Sequence, residues 1–236
     1  MRNNFLVAHW ENLVVATFEA EQKLLLPYLP RGTELNEWNG KYCMSLVGFR
    51  FSKASFCGIP SPFYRSFPEL NLRFYVREKI KSGWRKGVVF IKEIVPSKLV
   101  GLVAKWLYHE NFSALPIQQS IYEDSDGRHF EYHWKIKEQS NYLKCCCSAI
   151  AELPEPGSLA AFIHSHNTAY TKDNDRTYTF TIDHPEWKVY PGLSYALQLD
   201  ARSIYGQAFS EAFEQKPLAL FLLDGSKTNV SSPRLL

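Results

Sequence analysis

Residues 69–115, ELNLRFYVREKIKSGWRKGVVFIKEIVPSKLVGLVAKWLYHENFSAL, decide the fold. From Glu69 to Val76, the residues Glu69, Asn71, Arg73 and Tyr75 alternate with Leu70, Leu72, Phe74 and Val76. A period of two puts the two sets on opposite faces of a β-strand. One face is apolar; the other carries an acid, an amide and a guanidinium in a row. A charged turn containing Gly83 leads into GVVFIKEIV (87–95), a nearly continuous run of strand formers of the kind expected of a strand covered on both faces. Pro96-Ser97 then opens a helix, because Ser97 can cap it and Leu99, Val100, Val103, Trp106 and Leu107 recur at helical spacing. The stretch closes on a polar cluster, Tyr108-His109-Glu110-Asn111.

Strand signals dominate on both sides of it. Upstream, LVVATFEA and the run from Tyr42 to Phe51 flank a helical stretch (QKLLLPYL) broken by Pro27 and Pro30, and Asn39-Gly40, a dipeptide that accepts positive φ at both positions of a tight hairpin turn. Residues 52–68 hold three prolines, a glycine and several serines, which predicts an aromatic-rich loop of the kind that is often functional. Downstream, HFEYHWKIK and YLKCCC pair naturally as a hairpin, Ser158 caps a short helix, RTYTFTID is a strand, and the end reads strand, helix, strand before a short polar tail. No repeat and no Gly/Ser linker interrupts the chain. The expectation is one domain over 1–236, mainly β (α+β), with eight to ten short strands and three or four helices in a closed or cone-like antiparallel sheet.

The totals narrow the function classes. Of 236 residues 45% are hydrophobic and 15% aromatic, enough for a real core, and the net charge of +3 comes from scattered lysines and arginines rather than a basic stripe. Nucleic acid is therefore not an expected partner. No segment approaches the ~20 apolar residues that span a bilayer, and the apolar run after the N-terminus is too short for a secretion signal. Five cysteines, three of them adjacent (Cys145, Cys146, Cys147), do not make a disulfide framework, which suggests free thiols in a reducing compartment. The expectation is a soluble cytoplasmic protein with neither nucleic acid nor membrane as partner.

Five groups of residues could carry chemistry. If the polar face of the 69–76 strand lines a closed sheet, Glu69, Asn71 and Arg73 point into a pocket where a small acid could bind; if it does not, the same residues form a solvated face with a modest ion pair. His129 and His133 share a strand face but lie ~13 Å apart at ~3.3 Å per residue, too far for one ion, and His164 and His166 lack a third ligand, so no metal and no cofactor is expected. The cysteine run reads as small buried hydrophobes. Lys92 is either a desolvated amine able to form a Schiff base or a snorkelling lysine at a sheet edge. Tyr108 and Glu110, at the end of the helix, fit a site wall and a polar helix stop equally well.

The pieces WENLVVATF (10–18), LPYLPRGTELNEWNGKYCMSLVGFRF (26–51), FPELNLRFYV (67–76), KGVVFIKEIVP (86–96) and AKWLYHENF (104–112), followed by GSLAAFI, HPEWKVY, SIYGQAF and DGS, resemble in order the YqjF-like family of uncharacterised proteins. That family is similar in fold to acetoacetate decarboxylase, which implies a cone-like β domain around a small-molecule cavity. In the decarboxylase a strand glutamate faces a Schiff-base lysine, and the resemblance matches Glu69 to that glutamate. The lysine run falls near Leu107–Asn111, which contains no lysine. Where relatives carry a Glu-His-Tyr-Trp-Gly-Tyr-like run, only His166 and Tyr170 persist. The resemblance thus implies a cavity lined by Glu69, Asn71, Arg73, Tyr108, Glu110, His166 and Tyr170 for a small carboxylate or carbonyl compound, without the lysine chemistry. Alternatives are a non-covalent acid/base enzyme using Glu69 or His166, and an interaction protein with a vestigial pocket.

Overall fold

The computed structural model describes residues 4–60 and 66–236. The strands in chain order are β1 (Asn4–Glu19), β2 (Thr33–Leu35), β3 (Cys43–Phe56), β4 (Ile59–Pro60), β5 (Ser66–Ile80), β6 (Gly83–Val95), β7 (Phe112–Ala114), β8 (Ile117–Asp124), β9 (Gly127–Ile136), β10 (Gln139–Cys147), β11 (Thr168–Asp173), β12 (Arg176–Asp183), β13 (Val189–Gln198), β14 (Ala219–Ser231) and β15 (Arg234–Leu235). The helices are α1 (Gln22–Leu25), α2 (Lys98–Tyr108), α3 (Leu159–His164), α4 (Ala201–Tyr205) and α5 (Ser210–Glu214), with two short 3-10 turns.

Pairing runs β12-β11-β6-β5-β3-β1-β14, and β14 pairs again with β12 through Ile182↔Val230 and Asp183↔Asn229. The path therefore closes on itself as a barrel. Strands β13, β10, β9 and β8 continue from β14 as a flap of antiparallel sheet. The alternation read from the sequence assigns the two faces. Leu70, Leu72, Phe74 and Val76 join one core, packed against the flap residues Phe130, Tyr132 and Trp134 and the helix residues Ile204 and Phe209. Val47, Phe49, Tyr75, Ala169, Phe180 and Phe221 form a second core on the other face.

Several expectations change. Fifteen strands and five α-helices exist among the described residues, against the eight to ten strands and three or four helices expected. The 52–68 stretch is largely sheet rather than loop. Cys57 and Gly58, at φ 49° and 83°, make a tight hairpin turn that joins β3 to β4, and Pro68 sits in β5 opposite Arg50. Proline and glycine were read as breakers there, whereas one closes a turn and the other needs no amide donor at its position. Residues 61–65 of that stretch lie outside the described residues. The polar tail is also strand: β14 passes Gly225 and runs to Ser231, with Thr228 and Val230 buried opposite Ala8 and Leu6. No helix among the described residues is long and apolar enough to cross a membrane.

Candidate active site: a carboxyl trio in an aromatic cavity

A cavity of about 250 Å³ opens beside the second core, between β1, β3, β5, β6, β12 and the inner side of α2. Its wall is chiefly aromatic, including Trp10, Phe49, Phe51, Phe90, Phe112 and Phe180. Its polar lining is Glu69, Asn71, Glu93, Tyr108 and Glu110. Each of these five is buried, between 3% and 7% exposed. Among the described lining residues there is no lysine, arginine or histidine.

Local backbone features aim these side chains. Glu69 and Asn71 share a face of β5 by the period of two, and Asn71 lies directly opposite Glu93 of β6. Glu110 arrives differently. Ser97 caps α2 by accepting from the Val100 amide, and at the other end His109 adopts the left-handed conformation (φ 58°) with its amide on the Lys105 carbonyl. That reversal turns the chain back so that Phe112 pairs in parallel with Glu93, the Glu93 amide meets the Asn111 carbonyl at 2.9 Å, and Glu110 enters the cavity. The His109 ring stays outside, stacked on Tyr178 and 3.1 Å from Asp173.

The three carboxyl groups are in contact: Glu93 is within side-chain hydrogen-bond reach of both Glu69 and Glu110. Burial, then the neighbouring carboxyl, holds Glu69 and Glu93 well above the usual carboxylate range. Burial pushes Glu110 up to about 7, against the hydrogen bonds from Glu93 and Thr171 that pull it down. Such clusters share protons rather than ionise together. Arg73 nearby favours charge on Glu93, but burial and the Glu110 carboxyl outweigh it, so Glu110 is the member that gives up a proton nearest neutral pH. Asn71 hydrogen-bonds Glu69, which favours its ionised form against the larger effect of burial. In the cavity lining, Glu93 Oε1, Asn71 Oδ1, Tyr108 OH and Trp10 Nε1 have no hydrogen-bond partner. Burial raises the Tyr108 hydroxyl far above neutral pH, so it stays a donor.

Of the residues singled out from sequence, the structure brings together Glu69, Asn71, Tyr108 and Glu110. Arg73 is buried but is not a lining residue. His166 lies outside the cavity: its Nδ1–H donates to the Phe162 carbonyl at 2.6 Å, its Nε2 accepts from Asn36 at 2.9 Å, and burial pushes it down to about 3. A ring so held is neutral across the physiological range and does not act as an acid or base there. Tyr170 faces the first core, where its hydroxyl donates to Glu78 at 2.7 Å.

Lys92 also leaves the cavity, and the reason is a β-bulge. The pairing of β5 with β6 slips by one residue between Leu72 and Arg73, so Phe90 and Glu93 face the cavity while the Lys92 ammonium donates to the Ile204 carbonyl of α4. Glu93 was missed because it was read as part of an apolar strand run. The signal was present, since a carboxylate inside a strand covered on both faces demands a partner. His129 pairs with Asp124 and His133 with Glu131, and no cluster of three metal-ligating side chains exists among the described residues.

This closed β sheet with an internal cavity is the acetoacetate-decarboxylase-like fold. Acetoacetate decarboxylase from Legionella pneumophila superposes with a TM-score of 0.70 over 98% of this chain and 86% of its own, at 9% identity. The enduracididine biosynthesis enzyme MppR, in complex with pyruvate, superposes with a TM-score of 0.67 over 98% of this chain and 90% of its own, at 12% identity. At the level of sequence, the uncharacterized protein YqjF of Bacillus subtilis (strain 168) is 24% identical over 182 residues, 75% of this chain and 72% of that protein. The chain belongs to the DUF2071 family of uncharacterized conserved proteins, whose pattern it matches over residues 7–226.

Proposed function

We propose that the protein binds a small, uncharged carbonyl compound in the barrel cavity without forming a covalent bond to it. One observation carries this: three buried, proton-sharing carboxyl groups in an aromatic cavity with no cationic side chain among its described lining residues. A ligand carboxylate there would meet further negative charge with nothing to pair it, so carbonyl is favoured over carboxylate. The Tyr108 hydroxyl is a free donor for the carbonyl oxygen, and the unpartnered Trp10 indole N–H is another in the same wall. An imine would need an amine, and Lys92 is directed to α4 instead. The binding of pyruvate by the MppR fold neighbour supports a small-molecule role for this cavity.

The same geometry favours acid/base turnover as a second reading. Glu110, the member of the trio that ionises near neutral pH, would take a proton from the carbon next to the carbonyl while Tyr108 holds the developing oxygen charge; return of the proton restores the ketone. Thermal-shift measurements with neutral ketones and their matched carboxylates test the binding. A ketone at about 100 times its dissociation constant should add about 2.7 kcal/mol of stability, and Tyr108→Phe should weaken that response. Loss of α-proton signal in D2O, dependent on Glu110, reports turnover. Stronger stabilisation by carboxylates, or a borohydride-trapped mass adduct, would refute the non-covalent carbonyl site.

A further inference from the structure

The cavity's unpaired polar atoms and its walls specify more than a carbonyl. Asn71 spends a side-chain hydrogen bond on Glu69 and keeps Oδ1 without a partner, although only 3% of the residue is exposed. Buried acceptors without partners are rare, and each leaves a hydrogen bond for a ligand to complete. Tyr108 OH supplies a donor at the same site, where Glu93 Oε1 and the Trp10 indole N–H are also without partners. A ligand that completes the Tyr108 and Asn71 groups carries both an acceptor and a donor.

Size and shape fix the rest. A protein cavity of ~150 Å³ takes benzene; about 250 Å³ therefore takes a ring with a short substituted arm. The ring is called for because Trp10, Phe49, Phe51, Phe90, Phe112 and Phe180 line the space, and offset or edge-to-face ring contacts add ~0.5–1.5 kcal/mol beyond burial. We infer that the natural ligand is an aryl hydroxyketone or a close relative: an aromatic ring against the phenylalanine wall, a carbonyl on Tyr108 OH, and a neighbouring hydroxyl donating to Asn71 Oδ1. This rests on the carbonyl-site reading above and narrows its substrate class.

Titration calorimetry with three probes separates the parts. 2-Hydroxy-1-phenylethanone carries ring, carbonyl and hydroxyl; acetophenone lacks the hydroxyl; hydroxyacetone lacks the ring. The first should bind about tenfold tighter than acetophenone, the equivalent of one hydrogen bond at ~1.4 kcal/mol, and tighter still than hydroxyacetone. Asn71→Leu, checked for folding by circular dichroism, should erase the advantage of 2-hydroxy-1-phenylethanone over acetophenone. The wild-type series stands alone if that variant does not fold. If the ketones bind but hydroxyl and ring confer no advantage, or if the advantage survives Asn71→Leu, the aryl hydroxyketone is wrong while the carbonyl site stands. If none of the three binds, both are wrong.

Discussion

Glu110→Gln should be more stable than the wild type by about 3 kcal/mol at pH 8 and indistinguishable from it, apart from small packing effects, below pH 4.5. The sign follows from the direction of the shift. Glu110 titrates at about 7 in the fold, against 4.5 for an ordinary glutamate. Its folded state therefore holds a proton that the unfolded chain has already lost. The stability from that proton is complete below pH 4.5 and is lost as pH rises through 7. At ~1.4 kcal/mol per pH unit, the window between 4.5 and about 7 amounts to about 3 kcal/mol. Glutamine is neutral and near in shape, so it escapes the loss.

The comparison must be made between variant and wild type rather than on the wild type alone. Burial pushes His166 down to about 3 and His184 to about 4, and these act in the opposite sense. Their contribution is present above the unfolded histidine value of 6.5 and is lost as pH falls through 4 and 3. Over the range where Glu110 becomes destabilising, the histidines are becoming stabilising, and the two trends overlap in the wild-type curve. Urea unfolding of both proteins at intervals from pH 4 to pH 8 cancels the histidines. A difference that stays flat with pH would mean that Glu110 ionises normally.

Gly87→Val should lower stability by about 4 kcal/mol. Gly87 sits where β6 meets β11 in the barrel's short parallel pairing, Ala169↔Val88. A Cβ added there would come within 2.4 Å of the Thr168 carbonyl and 2.5 Å of the Tyr170 ring. One obstacle is backbone and the other is a fully buried ring, so neither yields without opening the seam. Gly101 in α2 is the control, since its added Cβ would meet nothing closer than 3.5 Å. Gly101→Ala should be neutral or stabilising by up to ~1 kcal/mol, because alanine favours the helix. Denaturant midpoints for the two variants check both; equal midpoints would show that the seam is not tightly closed.

What the sequence disclosed and what it hid divide along physical lines. Alternation in β5 and in 130–136 was legible because each strand has one face on a core, and the Asn39-Gly40 turn because both positions need positive φ. Closure of the barrel was not, since it depends on Ile182 finding Val230 across nearly fifty residues of chain. In the site, Glu69 and Asn71 could be placed from the period of two alone. Lys92 and Glu93 could not, because a one-residue bulge in β6 sets which of them faces the cavity. Glu110 was named from the helix-end cluster, but what turns it inward is the left-handed backbone at His109, a conformation uncommon outside glycine. His166 and Tyr170 carry side chains suited to a site, yet their partners, Asn36 and Glu78, come from distant parts of the chain.

Proton sharing among Glu69, Glu93 and Glu110 is the claim on which the cavity's chemistry depends. Carboxyl carbon NMR of the protein labelled at the glutamate side-chain carboxyls, titrated from pH 3 to pH 9, tests it most directly. Three resonances should stay in their protonated positions well above pH 4.5, one with a midpoint near 7 that disappears in Glu110→Gln. Titration of every glutamate carboxyl near 4.5 would contradict the account.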